Sequence, residues 1–337
     1  GGIAHWSAGY LSALADDQKL AVTSFPVVGL IDPANTTRPK PESASAATGF
    51  ATGVRSYYEA IGVGPDSLPR ETVLELAERR GMATGVITTT LLVDATAAAF
   101  LAHTASRDDR KEIAEQIAAQ PVEVLMGDGR QWFDGTLGQG SADFLSEMRS
   151  RFVLVETGAA LRAIDPDTVE ALLGFFPSDA GRDPSARDPS IAEMTHTALQ
   201  ILDRDPDGFF LLVENEHTDH ATHENLPLPI VAGEIRALDD AVRVAVDYRE
   251  RHPETLVIVA ADHETGGLSL VPTEAGMEAH YAWGDHTVTL VPLFAVGPGS
   301  VSFGGIHPNE DIGRLLMEIV AADSMGAAEH SPTADPE

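Results

Sequence analysis

The chain has 337 residues, 43% apolar and 22% charged, which suits one large or two small globular domains and excludes a disordered chain or a small disulfide scaffold. Asp and Glu number 52 against 22 Lys and Arg, a formal net charge of −30, and only Lys19, Lys40 and Lys111 are lysines. That balance argues against nucleic acid and against anionic membranes, both of which need cationic faces, while the absence of Cys excludes disulfides, thiolate metal sites and a Cys nucleophile. The same charge sets a problem, because an anionic substrate would have to approach a strongly anionic protein. No apolar run reaches the ~20 residues needed to span a bilayer, and no repeat of 20–50 residues is visible.

In chain order, small residues after Glu42 mark a helix start, and residues 71–80 read as a helix. A buried strand is expected at 84–90 (TGVITTT), a helix at 108–119, and strands at 122–126 (VEVLM) and 152–155. A helix follows at 190–202, then a strand at 209–214 (FFLLVE), a long helix at 230–250, strands at 256–260 (LVIVA) and 291–296, and a helix at 309–321. The strand candidates are continuous apolar runs, as required when both faces of a sheet are covered. Their alternation with helices predicts a three-layer α/β sandwich with a mainly parallel central sheet and helices on both faces. Residues 127–140 and 177–189 read as surface loops, and 322–337 as a disordered acidic tail after a single domain over 1–321.

Ligands in such folds bind beyond the carboxyl ends of strands, and polar clusters lie there. After 209–213 come Glu214, Asp219, His220 and His223; on a helix, Asp219 and His223 share one face at i and i+4, a spacing that suits a zinc ion or, equally, a polar helix start. After 256–260 come Asp262 and His263, then Gly266-Gly267, consistent with ligands on a tight turn or with a capped turn. His286 precedes the strand at 291–296 and alone says little. Asp94 and Thr96 suit a hard cation or a helix N-cap. Arg107 could clamp phosphate through its planar fork or stand as a solvated cation. Ser43 at a helix start could be an activated nucleophile, or it could cap the helix. Together the clusters supply what two zinc ions beside a magnesium ion require.

The segments ESASAATGFATGVRSYYEAIGV (from Glu42), DATAAAFLAHTASR (from Asp94), FFLLVENEHTDHATHE (from Phe209), VIVAADHETGG (from Val257) and GDHTVTLVPLFAVGPG (from Gly284) resemble, in order, spacing and identity, those of the alkaline phosphatase family. The resemblance runs from the first residues to about residue 320. It implies hydrolysis of phosphate monoesters through a phosphoserine on Ser43, with Arg107 gripping the phosphoryl group and His220 contacting phosphate through water. It further implies one zinc on Asp219, His223 and His286, a second on Asp262 and His263, and Mg²⁺ on Asp94, Thr96 and Glu214. A homodimer and a periplasmic or extracellular location are implied too, while a sulfatase is disfavoured because Ser43 lacks the required Pro and Arg context. The remaining alternatives are a phosphodiesterase of the same superfamily and a non-catalytic metal or phosphate binder.

Two departures stand out. Glu42 occupies a position where the family carries Asp, which puts the partner of Arg107 in question. The chain opens on Gly1-Gly2-Ile3-Ala4, matching the glycines that follow a metal-binding Asp in the family. That Asp and its strand are expected upstream of Gly1, and without them the second zinc would bind weakly. Abundant acid with little Lys also suggests adaptation to high salt.

Overall fold

A computed structural model describes residues 1–137, 142–178, 183–274 and 276–322. Its first elements are α1 (Ile3–Ala15), β1 (Val27–Asp32), α2 (Ser43–Thr52), α3 (Val73–Arg79), β2 (Ala83–Leu91), α4 (Ala95–Leu101), α5 (Arg110–Ala119) and β3 (Val124–Asp128). Then come the short helix α6 (Leu145–Met148), β4 (Val153–Val155), the short helix α7 (Gly158–Arg162), β5 (Leu172–Phe175), α8 (Ile191–Leu202), β6 (Phe209–Glu214), α9 (His217–His223) and α10 (Leu228–Arg251). The last part holds β7 (Val257–Ala260), β8 (Glu264–Thr265), β9 (Leu268–Thr273), β10 (Gly276–Tyr281), β11 (His286–Thr287), β12 (Val291–Val296), β13 (Gly305–Pro308) and α11 (Asn309–Ala321).

Five strands form a wholly parallel sheet in the order β4-β5-β3-β2-β6. Side-chain alternation explains why its strands read as unbroken apolar runs. Val86, Leu125 and Leu173 face one core with α2, α3, α4 and α5, whereas Ile87, Val124, Met126 and Leu172 face a second core with α8 and α10. The expected layered α/β architecture is therefore present. Hydrogen bonding assigns β1, β7, β12 and β13 to a second sheet in the order β13-β1-β12-β7, where β12 runs antiparallel to both neighbours. Parallel pairing thus holds throughout the five-strand sheet and between β1 and β13, and fails for β12, a run whose direction periodicity cannot reveal.

Among the described residues, β6 pairs only with β2, and β7 only with β12. Trp6 and Ala13 of α1, with Ile235 and Val242 of α10, cover Val259 on one face of the second sheet. Phe303 and Ile312 pack with Ile31, Leu293 and Ala295 on the other. The helix carrying Ser43 is set against α11 by glycine: a Cβ on Gly313 would lie 2.2 Å from the Gly49 carbonyl oxygen, so only hydrogen permits this crossing.

Two expected surface loops contain buried structure. Residues 127–140 include the end of β3 and the fully buried Phe133, which tilts against Phe175 at 5.5 Å. In 177–189, Arg187 forms a two-point ion pair with the buried Glu234, at 2.6 and 2.8 Å. Of the expected tail, residues 323–337 lie outside the described residues.

Candidate active site

The exit of β6 is tied to β2 by three parallel hydroxyl contacts. Thr88 donates to Glu214 at 2.7 Å, Thr89 to Asn215 at 3.0 Å, and Thr90 to Glu216. The chain then turns into α9, where Asp219 and His223 do lie at i and i+4, with Oδ2 and Nε2 3.4 Å apart. His286 reaches them from β11, which pairs with β8. Ligand atoms of Asp219, His223 and His286 all fall within 4.8 Å of one another.

The two imidazoles test whether a cation fits this cluster. His223 Nδ1 donates to the Gly284 carbonyl at 3.2 Å and His286 Nδ1 to the Pro41 carbonyl at 2.9 Å. A carbonyl can only accept, so both Nδ1 atoms carry the hydrogen and the Nε2 lone pairs are left facing each other at 2.9 Å. Two lone pairs beside a carboxylate repel unless a proton or cation lies between them, and backbone-anchored imidazoles are the usual form of metal-ligating histidine. Burial and the neighbouring His263 hold His286 below the ordinary imidazole range, which keeps it neutral and able to ligate. Burial opposes ionisation of Asp219, but His263 and His223 outweigh it and hold the carboxyl below its usual range.

A second convergence lies beside the first. His263 is 1% exposed, and its ring stacks on His286 with centroids 3.6 Å apart. Its Nε2 is met by Asp262 Oδ2 at 3.1 Å and by Ser43 Oγ at 3.0 Å. One nitrogen and two oxygens gathered at one point also suit a divalent ion. Gly1 N donates to the His263 carbonyl at 2.8 Å.

Ser43 is the first residue of α2 and does not cap it. The cap is Glu42, whose carboxylate accepts from Ala44 N at 2.8 Å and Ser45 N at 2.6 Å, leaving the Ser43 hydroxyl free for His263. The extra methylene of Glu relative to Asp lets this carboxylate fold back over the helix start and still reach Arg107 at 3.3 Å. Arg107 is fixed from its other side by Asp94 at 2.5 Å.

Asp94 caps α4 through Ala95 N at 2.7 Å and also accepts from Arg110 at 3.3 Å. The magnesium set implied by the sequence is therefore not assembled: Glu214 accepts from Thr88, while Asp94 turns to the two guanidinium groups. Burial, followed by the charge of Glu216, pushes Glu214 up to about 8. His220 is half exposed and pairs with Glu216 at 3.2 Å, and that hydrogen bond raises it to about 9. Glu216 and Arg110 escaped sequence reasoning, although the i, i+4 spacing of Glu216 and His220 was a usable signal.

The fold matches that of a structure of alkaline phosphatase from the Antarctic bacterium TAB5, with a TM-score of 0.84 and 27% identity over 95% of both chains. A family model for alkaline phosphatase matches residues 8–282. The chain belongs to the alkaline phosphatase family. It is 33% identical over 253 residues to alkaline phosphatase 3 of Bacillus subtilis, covering 72% of this chain and 52% of that protein. It is 32% identical over 348 residues to the streptomycin-6-phosphate phosphatase of Streptomyces griseus, covering 80% and 76%. The chain spans about half the length of the Bacillus subtilis and yeast relatives that it matches.

Proposed function

We propose that the protein is a metal-dependent phosphomonoesterase that works through a phosphoserine on Ser43. The observation that carries this reading is the meeting of Ser43 Oγ with His263 Nε2 at 3.0 Å, directly beside the Asp219, His223 and His286 cluster. Asp219, His223 and His286 would hold one zinc ion and Asp262 and His263 a second; magnesium would be held by Thr96, Glu214 and Asp94 once Asp94 leaves the Arg107 and Arg110 guanidinium groups. A variant of the TAB5 enzyme binds Mg in a site designated M3, so a protein of this fold can hold magnesium. Such ions, when bound, lower the pKa of coordinated oxygen and neutralise charge on the attacking and leaving oxygens.

The chain's own residues account for the rest. Ser43 sits in the positive end of the α2 dipole, which favours its alkoxide. Its proton released to solvent, the oxygen attacks phosphorus in line, forming a Ser–O–P bond as the ester P–O bond breaks, and the released alkoxide takes a proton from water. Water then opens the phosphoserine, regenerating Ser43 and releasing inorganic phosphate. Arg107, braced between Glu42 and Asp94, presents a rigid fork to the equatorial oxygens, where transition-state charge collects. His220, kept cationic by Glu216, adds a positive charge at the rim.

The resemblance carries three further proposals: a catalytic domain over 1–321, a homodimer, and a periplasmic or extracellular location. No helix among the described residues is long and apolar enough to cross a membrane. The test of function is release of 4-nitrophenol from its phosphate monoester by protein supplied with zinc and magnesium. Activity is expected to stop with EDTA and to far exceed that on bis(4-nitrophenyl) phosphate; equal or greater diester activity would favour the phosphodiesterase, and metal binding without turnover a non-catalytic binder.

A further inference from the structure

The loop leading into Ser43 carries two cations in a chain where acids outnumber bases 52 to 22. Asn35, itself 9% exposed, organises this loop. Its Oδ1 accepts from the backbone of Thr37 at 3.0 Å and Arg38 at 2.8 Å, and its Nδ2 donates to the Lys40 carbonyl at 2.9 Å. Thr37 Oγ1 in turn accepts from Tyr58 N at 3.1 Å. These bonds place the Arg38 guanidinium carbon 4.0 Å from the centroid of the Tyr58 ring, with Lys40 Nζ 5.5 Å from the same centroid.

The loop is also joined to the catalytic cluster from two sides. Lys40 Nζ contacts Asp285 Oδ2 at 2.9 Å, and Asp285 Oδ1 accepts from the backbone of His286 at 2.7 Å. The next residue, Pro41, receives the His286 Nδ1 hydrogen at 2.9 Å. Lys40 lies three positions before Ser43, a span of at most about 10 Å. Lys40 thereby neutralises the carboxylate beside His286. Among the described residues no carboxylate pairs with Arg38, which is exposed and whose guanidinium carbon lies over the Tyr58 ring.

We propose that Arg38, stacked on Tyr58 and flanked by Lys40, forms a leaving-group subsite that binds a second oxyanion on the alcohol side of the phosphomonoester. This rests on the monoesterase reading of the same site. The substrate class favoured is a monoester whose alcohol carries its own carboxylate or phosphate, and Arg38 supplies the positive potential, since Lys40 is paired with Asp285.

The test compares phenyl phosphate with 4-carboxyphenyl phosphate on the metal-loaded full chain. In Arg38→Ala the ratio of kcat/KM for the carboxylated over the plain ester is expected to fall about fivefold, through KM, as for loss of one exposed charge contact. Arg38→Lys should give an intermediate ratio, because it keeps the charge and loses the fork, and rising NaCl should lower the wild-type ratio towards that of Arg38→Ala. An unchanged ratio in Arg38→Ala, or an equal loss on both esters, would overturn the subsite while leaving the monoesterase reading intact. A wild-type chain that hydrolyses neither ester would contradict the monoesterase reading and the subsite with it.

Discussion

Ser43 Oγ lies 3.0 Å from His263 Nε2, while the N-terminal backbone of its helix is capped by Glu42. Chemistry and helix stability are therefore carried by adjacent residues. Ser43→Ala is expected to lower kcat by about a thousandfold or more with the melting temperature nearly unchanged. Glu42→Ala removes the cap and one brace of Arg107, so it should destabilise the fold by about 1–2 kcal/mol and raise KM. Paired thermal melts and kinetics separate the two.

The Nε2 atoms of His223 and His286, 2.9 Å apart beside Asp219, require something positive between them. Zinc is expected to raise the melting temperature of the metal-free protein by mass action. His223→Ala should weaken zinc binding at least about tenfold, a loss that calorimetric titration would show. An unaltered isotherm would remove this residue from the ligand set.

Glu78 provides a pH-dependent prediction remote from the site. It lies just after α3 begins its last turn and accepts a hydrogen bond from Thr84, and burial followed by the charge of Glu123 pushes it from 4.5 up to about 6. The folded chain therefore holds this proton more tightly than the unfolded chain. The group costs stability as pH rises from about 4.5 to 6, and that cost persists above the window. Glu78→Gln should melt higher than wild type at pH 8 and match it at pH 4. A constant difference at both values would contradict the assignment.

Arg187 and Glu234 form a buried ion pair between the 183–189 segment and α10. Removing one partner strands the other charge, so Arg187→Met should cost about 3–5 kcal/mol in chemical denaturation. A loss below about 1 kcal/mol would mean that Glu234 regains solvent.

The acidic surface leads us to propose adaptation to high salt. Melting temperature and turnover should both rise from low to molar NaCl as self-repulsion is screened; flat or falling curves would sink the proposal.

The sequence disclosed most of what is local. Strands covered on both faces, such as β2 and β3, appear as apolar runs, and Asp219 with His223 is a one-turn pattern. The first helix was missed because Ile3–Ala15 is built largely from small residues and lacks a side-chain cap. The strand Val27–Asp32 is short, and Gly29 interrupts its pattern. The β9–β10 ribbon is half exposed and carries Pro272 and His280 within its pairing, so neither periodicity marks it. What brings the site together is non-local. Thr88 meets Glu214 across 126 residues and Lys40 meets Asp285 across 245, separations that no spacing rule encodes. Arg107 and Asp94 were each readable as site residues, but their mutual ion pair, which turns Asp94 from the magnesium set, was not.

The central claim is that Ser43 becomes phosphorylated during turnover. The most direct measurement is acid quenching of the metal-loaded enzyme with a phosphate monoester, followed by peptide mass spectrometry. One phosphoryl group is expected on Ser43 in the wild type and none anywhere on Ser43→Ala. Turnover with no phosphorylated Ser43, or a phosphoryl group on another residue that persists in Ser43→Ala, would contradict it.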